Sequence, residues 1–155
     1  MNTGLMFSTG KDDWATPPEV FDPLHDEFEF TLDAAAHKDN AKCCFFYGPG
    51  SRLTDNALSL DWPSSDRIWC NPPYSRGAQR NFIRKAMQCG ARGGCVVMLL
   101  PARTDTRAFH DWIWDLDKHK PRPWVREVRF LKGRIKFVGA PASAPFPSMV
   151  VVFGR

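Results

Sequence analysis

Arg67-Ile68-Trp69-Cys70-Asn71-Pro72-Pro73-Tyr74 is a short apolar run that stops on two consecutive prolines. Neither proline can donate to a β-ladder, so a strand must end at Cys70. Residues 75–89 follow with Phe82, Ile83, Ala86 and Met87 on one helical face, and Gly90 marks the expected stop. Cys95-Val96-Val97-Met98-Leu99-Leu100 is then continuously apolar, which suits a strand buried on both faces of a parallel sheet. Strand, helix, strand in this order predicts an α/β protein with a doubly wound, mostly parallel sheet.

The flanks extend the pattern. Downstream, Asp105 or Thr106 is expected to cap a helix whose apolar stripe is Phe109, Trp112, Ile113 and Leu116. Residues 125–131, 134–138 and 149–153 read as closing strands, with the terminal strands antiparallel at one edge. Upstream, Thr16-Pro17-Pro18-Glu19 reads as a helix start with Thr16 as cap, Pro17 at the first helical position and Glu19 completing a capping box. Val20, Phe21 and Leu24 continue it, and Pro23 argues against a long helix. Residues 28–33 alternate apolar and polar as a strand does, and residues 43–47 form a second short strand before the Pro49-Gly50-Ser51 loop. Residues 1–13 have no periodicity and are expected to be a flexible arm, which leaves 14–155 as one domain. In a doubly wound sheet ligands sit beyond the carboxyl ends of the strands. That rule puts Asp33, the Asn71 loop and residues 101–107 on one edge.

Composition narrows the class. The 155 residues are 43% hydrophobic and 25% charged, ordinary for a globular domain, and contain neither a membrane-length apolar run nor a signal-peptide pattern. A cytoplasmic location is the expectation. Five cysteines without a C-x-x-C pair argue against a zinc site and read as small buried hydrophobes. The four histidines show no ligand spacing, and no clustered acidic motif suggests a metal nuclease, so no metal is expected. Charge is divided: residues 1–60 carry 4 Lys/Arg against 10 Asp/Glu, and residues 61–155 carry 17 against 7. The split fits either a basic face for a polyanion or a lopsided solvated surface.

The Asn71 loop carries the chemistry. A small polar residue, two prolines and an aromatic recur by chance on the order of once per 10⁴–10⁵ positions. An aniline-like amine is a poor nucleophile because its lone pair is delocalised, and two acceptors aimed at its N–H bonds would make it more tetrahedral. The Asn71 side-chain carbonyl supplies one acceptor, and a backbone carbonyl of Pro72-Pro73 supplies the other. Tyr74 offers a flat face for a base to stack on. A strand-ending turn is the plain alternative.

With these residues in view, residues 14–153 resemble the phage-type DNA N6-adenine methyltransferases, a Dam-like family. The carrying segments are Trp14-Ala15-Thr16-Pro17, Phe30-Thr31-Leu32-Asp33-Ala34-Ala35-Ala36, Asn40-Ala41-Lys42, Trp69 to Tyr74, Leu100 to Thr106, Arg129 to Arg134 and Ala144 to Ser148. The resemblance implies a Rossmann-like fold, S-adenosylmethionine as methyl donor, and DNA as partner with its target adenine flipped out. It implies no obligate protein partner and a phage or prophage origin in a bacterial host. Asn71, Pro72, Pro73 and Tyr74 are then catalytic. Trp14, Thr16, Pro17, Asp33, Ala34, Ala35, Asp55, Asn56 and Asn71 are the expected cofactor residues. The chain departs from the common pattern in having no G-x-G loop after its first strand. Asp33 is read either as a cofactor contact or as a strand terminator, and Thr16 either as pocket wall or as cap.

Arg103, Thr104, Thr106 and Arg107 follow a buried strand at the expected active edge and are assigned to DNA. Lys132, Arg134 and Lys136 alternate along one strand face, which suits either phosphate contact or charge protection of an edge strand. Arg76, Arg80 and Arg84 recur on one helix face and read as solvated. Three functions remain open: an adenine-specific DNA methyltransferase, an amino-methyltransferase of RNA or protein glutamine, and a DNA-binding module without turnover.

Overall fold

A computed structural model of the chain describes residues 14–154. The expected arm at residues 1–13 lies outside the described residues. In chain order the elements are α1 (Pro18–Phe28), β1 (Leu32–Asp33), β2 (Phe45–Phe46), a 3₁₀ turn (Ala57–Ser59), β3 (Arg67–Cys70), α2 (Arg76–Ala91), β4 (Cys95–Pro101), α3 (Arg107–Trp112), β5 (Trp114–Asp115), β6 (Lys120–Pro121), β7 (Val125–Phe130) and β8 (Ser148–Phe153). Six strands form one sheet in the order β2-β1-β3-β4-β8-β7. The first four are parallel, and β8 runs antiparallel between β4 and β7. The arrangement is Rossmann-like and mostly parallel, with its antiparallel pairings, β4–β8 and β8–β7, confined to one edge.

Side-chain alternation divides the core in two. Ile68, Cys70, Val96, Met98, Leu100, Met149, Val151 and Phe153 face the cluster that takes Phe82, Ile83 and Ala86 from α2 and Phe109 from α3. Trp69, Val97, Leu99, Val150 and Val152 point the other way, against Phe21 and Leu24 of α1 and against Ile135 and Phe137. Odd and even residues of β4 are both buried because each sheet face is covered, hence its unbroken apolar sequence. Arg129 ties the edge to α1, with its guanidinium donating to both carboxylate oxygens of Glu27 at 2.7 and 2.6 Å.

Several expectations are corrected. Helix α1 begins at Pro18, after an extended Pro17, and Thr16 does not cap it. Pro23 sits inside α1 without ending it. Of residues 28–33 only Leu32 and Asp33 are strand: Phe28 ends α1, and Glu29 takes a left-handed conformation (φ 52°) that closes the helix, its N–H bonded to the His25 carbonyl. Gly90 does not stop α2 but lies in its last turn, where a Cβ would come within 3.0 Å of Gly154 N and of the Trp124 carbonyl. Of the two expected caps of α3, Thr106 takes the role, accepting from Phe109 N at 3.3 Å. Leu116 lies beyond that helix and is exposed. Residues 134–138 join no ladder, because Ile135 O accepts from Ala144 N and Val138 N donates to Ala15 O. Among the cysteines Cys70 and Cys89 are buried, whereas Cys44 is exposed.

Gly48 shows how tightly the site end of the sheet is built. It has φ +141°, and a Cβ there would stand 1.6 Å from the Ala36 carbonyl oxygen. Gly93 also has positive φ, +92°, but nothing lies within 4 Å of its Cβ position. Gly48→Ala is therefore expected to lose roughly 2 kcal/mol or more in urea unfolding, and Gly93→Ala distinctly less. Equal losses would mean that backbone strain alone, not the close approach, accounts for Gly48.

Candidate active site

Strand β1 has β2 on one side and β3 on the other, so the order of strands reverses there. Chain leaving Asp33 turns toward β2, and chain leaving Cys70 turns into the Asn-Pro-Pro loop. The two paths part beyond the carboxyl ends of β1 and β3, and a crevice opens between them. It holds a cavity of about 360 Å³, walled by Asp33 and Ala35 from the first path and by Asn71 and Pro73 from the second. Trp14 and Thr16 close it from the segment before α1.

Asn71 is held by its amide nitrogen. Nδ2 donates to Thr16 Oγ1 at 2.9 Å and also to the Trp14 carbonyl. Both partners of Nδ2 are oxygens, and the Trp14 carbonyl can only accept, so turning the amide over would set two acceptors face to face. Oδ1 is therefore the free end, and it is buried without a hydrogen-bond partner among the described residues. Leaving a buried acceptor unmet costs about 1–3 kcal/mol, so this atom is open to a donor from a ligand or water.

Asp33 is a second polar wall. Its Oδ1 accepts from Ala35 N at 3.2 Å and its Oδ2 from Lys42 N at 2.9 Å, which ties the end of β1 to the loop before β2. Burial pushes its carboxyl up to about 7, against the pull of those two backbone donors and of the Lys42 charge.

The structure groups some expected residues and not others. Trp14, Thr16, Asp33, Ala35 and Asn71 line the cavity. Pro17 and Ala34 are buried beside it but do not line it. Asp55 and Asn56 are exposed and outside it, and Asn56 Oδ1 is taken by Leu58 N as cap of the 3₁₀ turn. Asp39, Lys42, Trp69 and Val138 line the cavity without having been assigned to it. The first two lie in or beside the Asn40-Ala41-Lys42 segment that carries the resemblance, which was the available signal. Pro72 and Pro73 are buried. Tyr74 is buried too, which corrects its expected role as an open stacking face. Its ring packs on Phe146 at 5.5 Å and Trp14 at 6.4 Å. Its Oη donates to the Leu99 carbonyl at 3.1 Å, and burial pushes the phenol well above its ordinary range, so it remains a donor.

Arg103, Thr104 and Arg107 are exposed beyond β4. Thr106 is half-buried and spends its hydroxyl on the Arg103 carbonyl at 2.9 Å. Lys132, Arg134 and Lys136 are exposed while Ile135 and Phe137 are buried, although the segment forms no ladder strand. It leads to Val138 at the cavity wall. Among the described residues no group of three His, Cys, Asp or Glu could hold a metal, and no helix is long and apolar enough to cross a membrane.

A Rossmann-like sheet with an Asn-Pro-Pro-Tyr loop at its switch point defines the amino-methyltransferase class of α/β proteins. A family model described as DNA N-6-adenine-methyltransferase (Dam) matches residues 6–151, and the chain belongs to that family. It is similar to a DNA N-6-adenine-methyltransferase of Escherichia phage T1, with 36% identity over 100 residues, covering 64% of this chain and 40% of that protein. The chain thus matches less than half the length of that relative.

Asp33 makes stability depend on pH in a stated direction. Its folded value of about 7 lies above the 3.8 of an unperturbed aspartate. Between those values the native state keeps a proton that the unfolded chain has released. The Asp33 contribution is therefore full below 3.8 and is lost as pH rises toward about 7. Urea midpoints from about pH 4 to about pH 8 should decline in wild type relative to Asp33→Asn. Parallel profiles would show that Asp33 titrates as an ordinary carboxylate.

Proposed function

We propose that the chain transfers a methyl group from S-adenosylmethionine to the exocyclic N6 amino group of adenine in DNA. The observation that carries this reading is Asn71 Oδ1, a buried acceptor without a partner among the described residues, beside a cavity at the switch point of the sheet. Membership of the Dam family and the name of the phage T1 relative support the substrate.

The residues present fit the cofactor. A cavity of about 360 Å³ lies within the range of small-molecule sites, roughly 300–1,000 Å³. Trp14 and Trp69 supply aromatic wall, and Asp33 supplies a carboxylate suited to amino or hydroxyl groups. S-adenosylmethionine bound there supplies an activated methyl group on a sulfonium. Asn71 Oδ1 accepts from one N–H of the adenine amine, and a carbonyl of the Pro72-Pro73 segment accepts from the other. Both bonds strengthen as positive charge develops on nitrogen, so the loop stabilises the transition state without a general base, and the methylated nitrogen then loses one N–H proton to solvent. Thr16 and the Trp14 carbonyl act by holding the Asn71 amide in place. Tyr74 is a positioning residue, which anchors the end of the loop to β4 through Leu99.

A base stacked in a duplex cannot reach an acceptor buried at the foot of a loop, so the target adenine must be flipped out. Lys132, Arg134 and Lys136 together with Arg103 and Arg107 form the face for DNA. We further infer that residues 14–155 act as one domain, without an obligate protein partner, in the cytoplasm of a bacterial host of a phage or prophage.

Incubating the chain with labelled S-adenosylmethionine and adenine-containing DNA should yield N6-methyladenine. No modified base under conditions where the cofactor binds would overturn the proposal. Asn71→Ala is expected to lower kcat by about 10²–10³-fold or more, with S-adenosylmethionine affinity changed only a few-fold. A near-normal rate in that variant would remove Asn71 from the mechanism.

A further inference from the structure

A second cavity of about 340 Å³ lies between the start of α2 and the β4–α3 connection. Its walls include Gln79 and Arg80 from α2, and Arg103, Thr106 and Arg107 from the connection. Asp105 is its one carboxylate, and among the described residues no carboxylate lies within ion-pair distance of the three guanidinium groups. Two of those groups are oriented by aromatic rings: Arg80 lies 5.0 Å from the centre of Trp112, and Arg103 lies 6.0 Å from the centre of Phe146. Stacking holds a guanidinium in place while leaving its N–H edge available. Gln79 Nε2, a donor, is buried without a partner among the described residues.

The cleft is thus rich in donors that lack acceptors. A phosphodiester offers acceptor oxygens only, with a negative charge that matches the arginines. The position suits a nucleic-acid strand. Phe146, beneath Arg103, also packs on Tyr74, and Ser75 leads from Tyr74 directly into α2. A phosphate seated here is linked to the end of the catalytic loop through Phe146 and Ser75. We propose that this cleft is a phosphate subsite which grips the DNA backbone beside the target nucleotide, with Gln79 and Arg80 as direct contacts. It rests on the reading that the substrate is DNA. Arg80 thereby leaves the solvated stripe to which its spacing alone assigns it, whereas Arg84, exposed one turn on and outside the cleft, stays in it.

The test is the salt dependence of binding to a short adenine-containing duplex, from about 50 to about 200 mM NaCl. Arg80→Met is expected to flatten the slope of log affinity against log salt by about 0.9, one phosphate contact, and Arg84→Met to leave it unchanged. Gln79→Glu, which sets a carboxylate against the phosphate, should weaken binding on every sequence alike. A methylphosphonate that neutralises one phosphate beside the target adenine should weaken wild type and leave Arg80→Met without further loss. Equal effects of Arg80→Met and Arg84→Met would overturn the proposal, since only the overall field would be involved. A loss confined to particular neighbouring bases would also overturn it, in favour of a base-edge site. Bound S-adenosylmethionine at the other cavity reports folding of each variant, and Arg107→Met stands in if Arg80→Met does not fold. Duplex binding with the expected slopes but no N6-methyladenine would refute the proposed reaction and leave the subsite standing.

Discussion

Leu32 is paired on both sides at once, opposite Phe45 in β2 and Ile68 in β3. That double pairing of a two-residue strand makes β1 the place where the sheet changes direction. Strands that continued in one order would pass their loops over one another and leave no gap. Here the chain after Asp33 and the chain after Cys70 must part, and the space between them is the cavity. Gly48 and Ala36 meet backbone to backbone at the same end, so the first path has little freedom to close the gap. The site exists because of how the strands are ordered, and its chemistry is added by what each loop carries.

What the second loop carries is a side chain divided between two tasks. The Asn71 nitrogen is spent on Thr16 and Trp14, far away in sequence, and its oxygen is left bare. An asparagine on a mobile loop would turn its oxygen to water or to a neighbouring N–H. Here the prolines stiffen the loop, the Tyr74 hydroxyl fixes its far end to Leu99, and the amide cannot turn without opposing two acceptors. The energetic disadvantage of a bare buried oxygen is tolerated where a substrate donor is to meet it.

Legibility in the sequence followed the range of the interactions. The β3–α2–β4 unit was readable because proline, helical spacing and an unbroken apolar run each act over a few residues. Alternation at residues 28–33 misled, because Phe28 and Phe30 both belong to an aromatic cluster reached from a helix end as easily as from a strand. Alternation at residues 134–138 correctly separated buried Ile135 and Phe137 from exposed Lys136, yet the backbone bonds went to Ala15 and Ala144. The β5–β6 hairpin, with two residues per strand, left no period to detect. That Asn71, Asp33 and the Trp14–Thr16 segment line one cavity is legible in the sequence, since strand ends and resemblance both mark them. The burial of Tyr74 was not, because it depends on Phe137 and Phe146, more than 60 residues downstream.

The antiparallel strand β8 also constrains how the molecule is made. It lies between β4 and β7, although both precede it in the chain. A nascent chain that has delivered β1 to β4 to the folding environment therefore holds an apolar central strand with one unpaired edge, Val96 to Pro101, until residues 148–153 emerge about 50 residues later. At roughly 5–20 residues per second that edge stays open for seconds, long compared with the microseconds of collapse. The intervening residues 102–147 carry 10 Lys/Arg against 5 Asp/Glu, a net positive charge that disfavours pairing of the waiting edge with another copy.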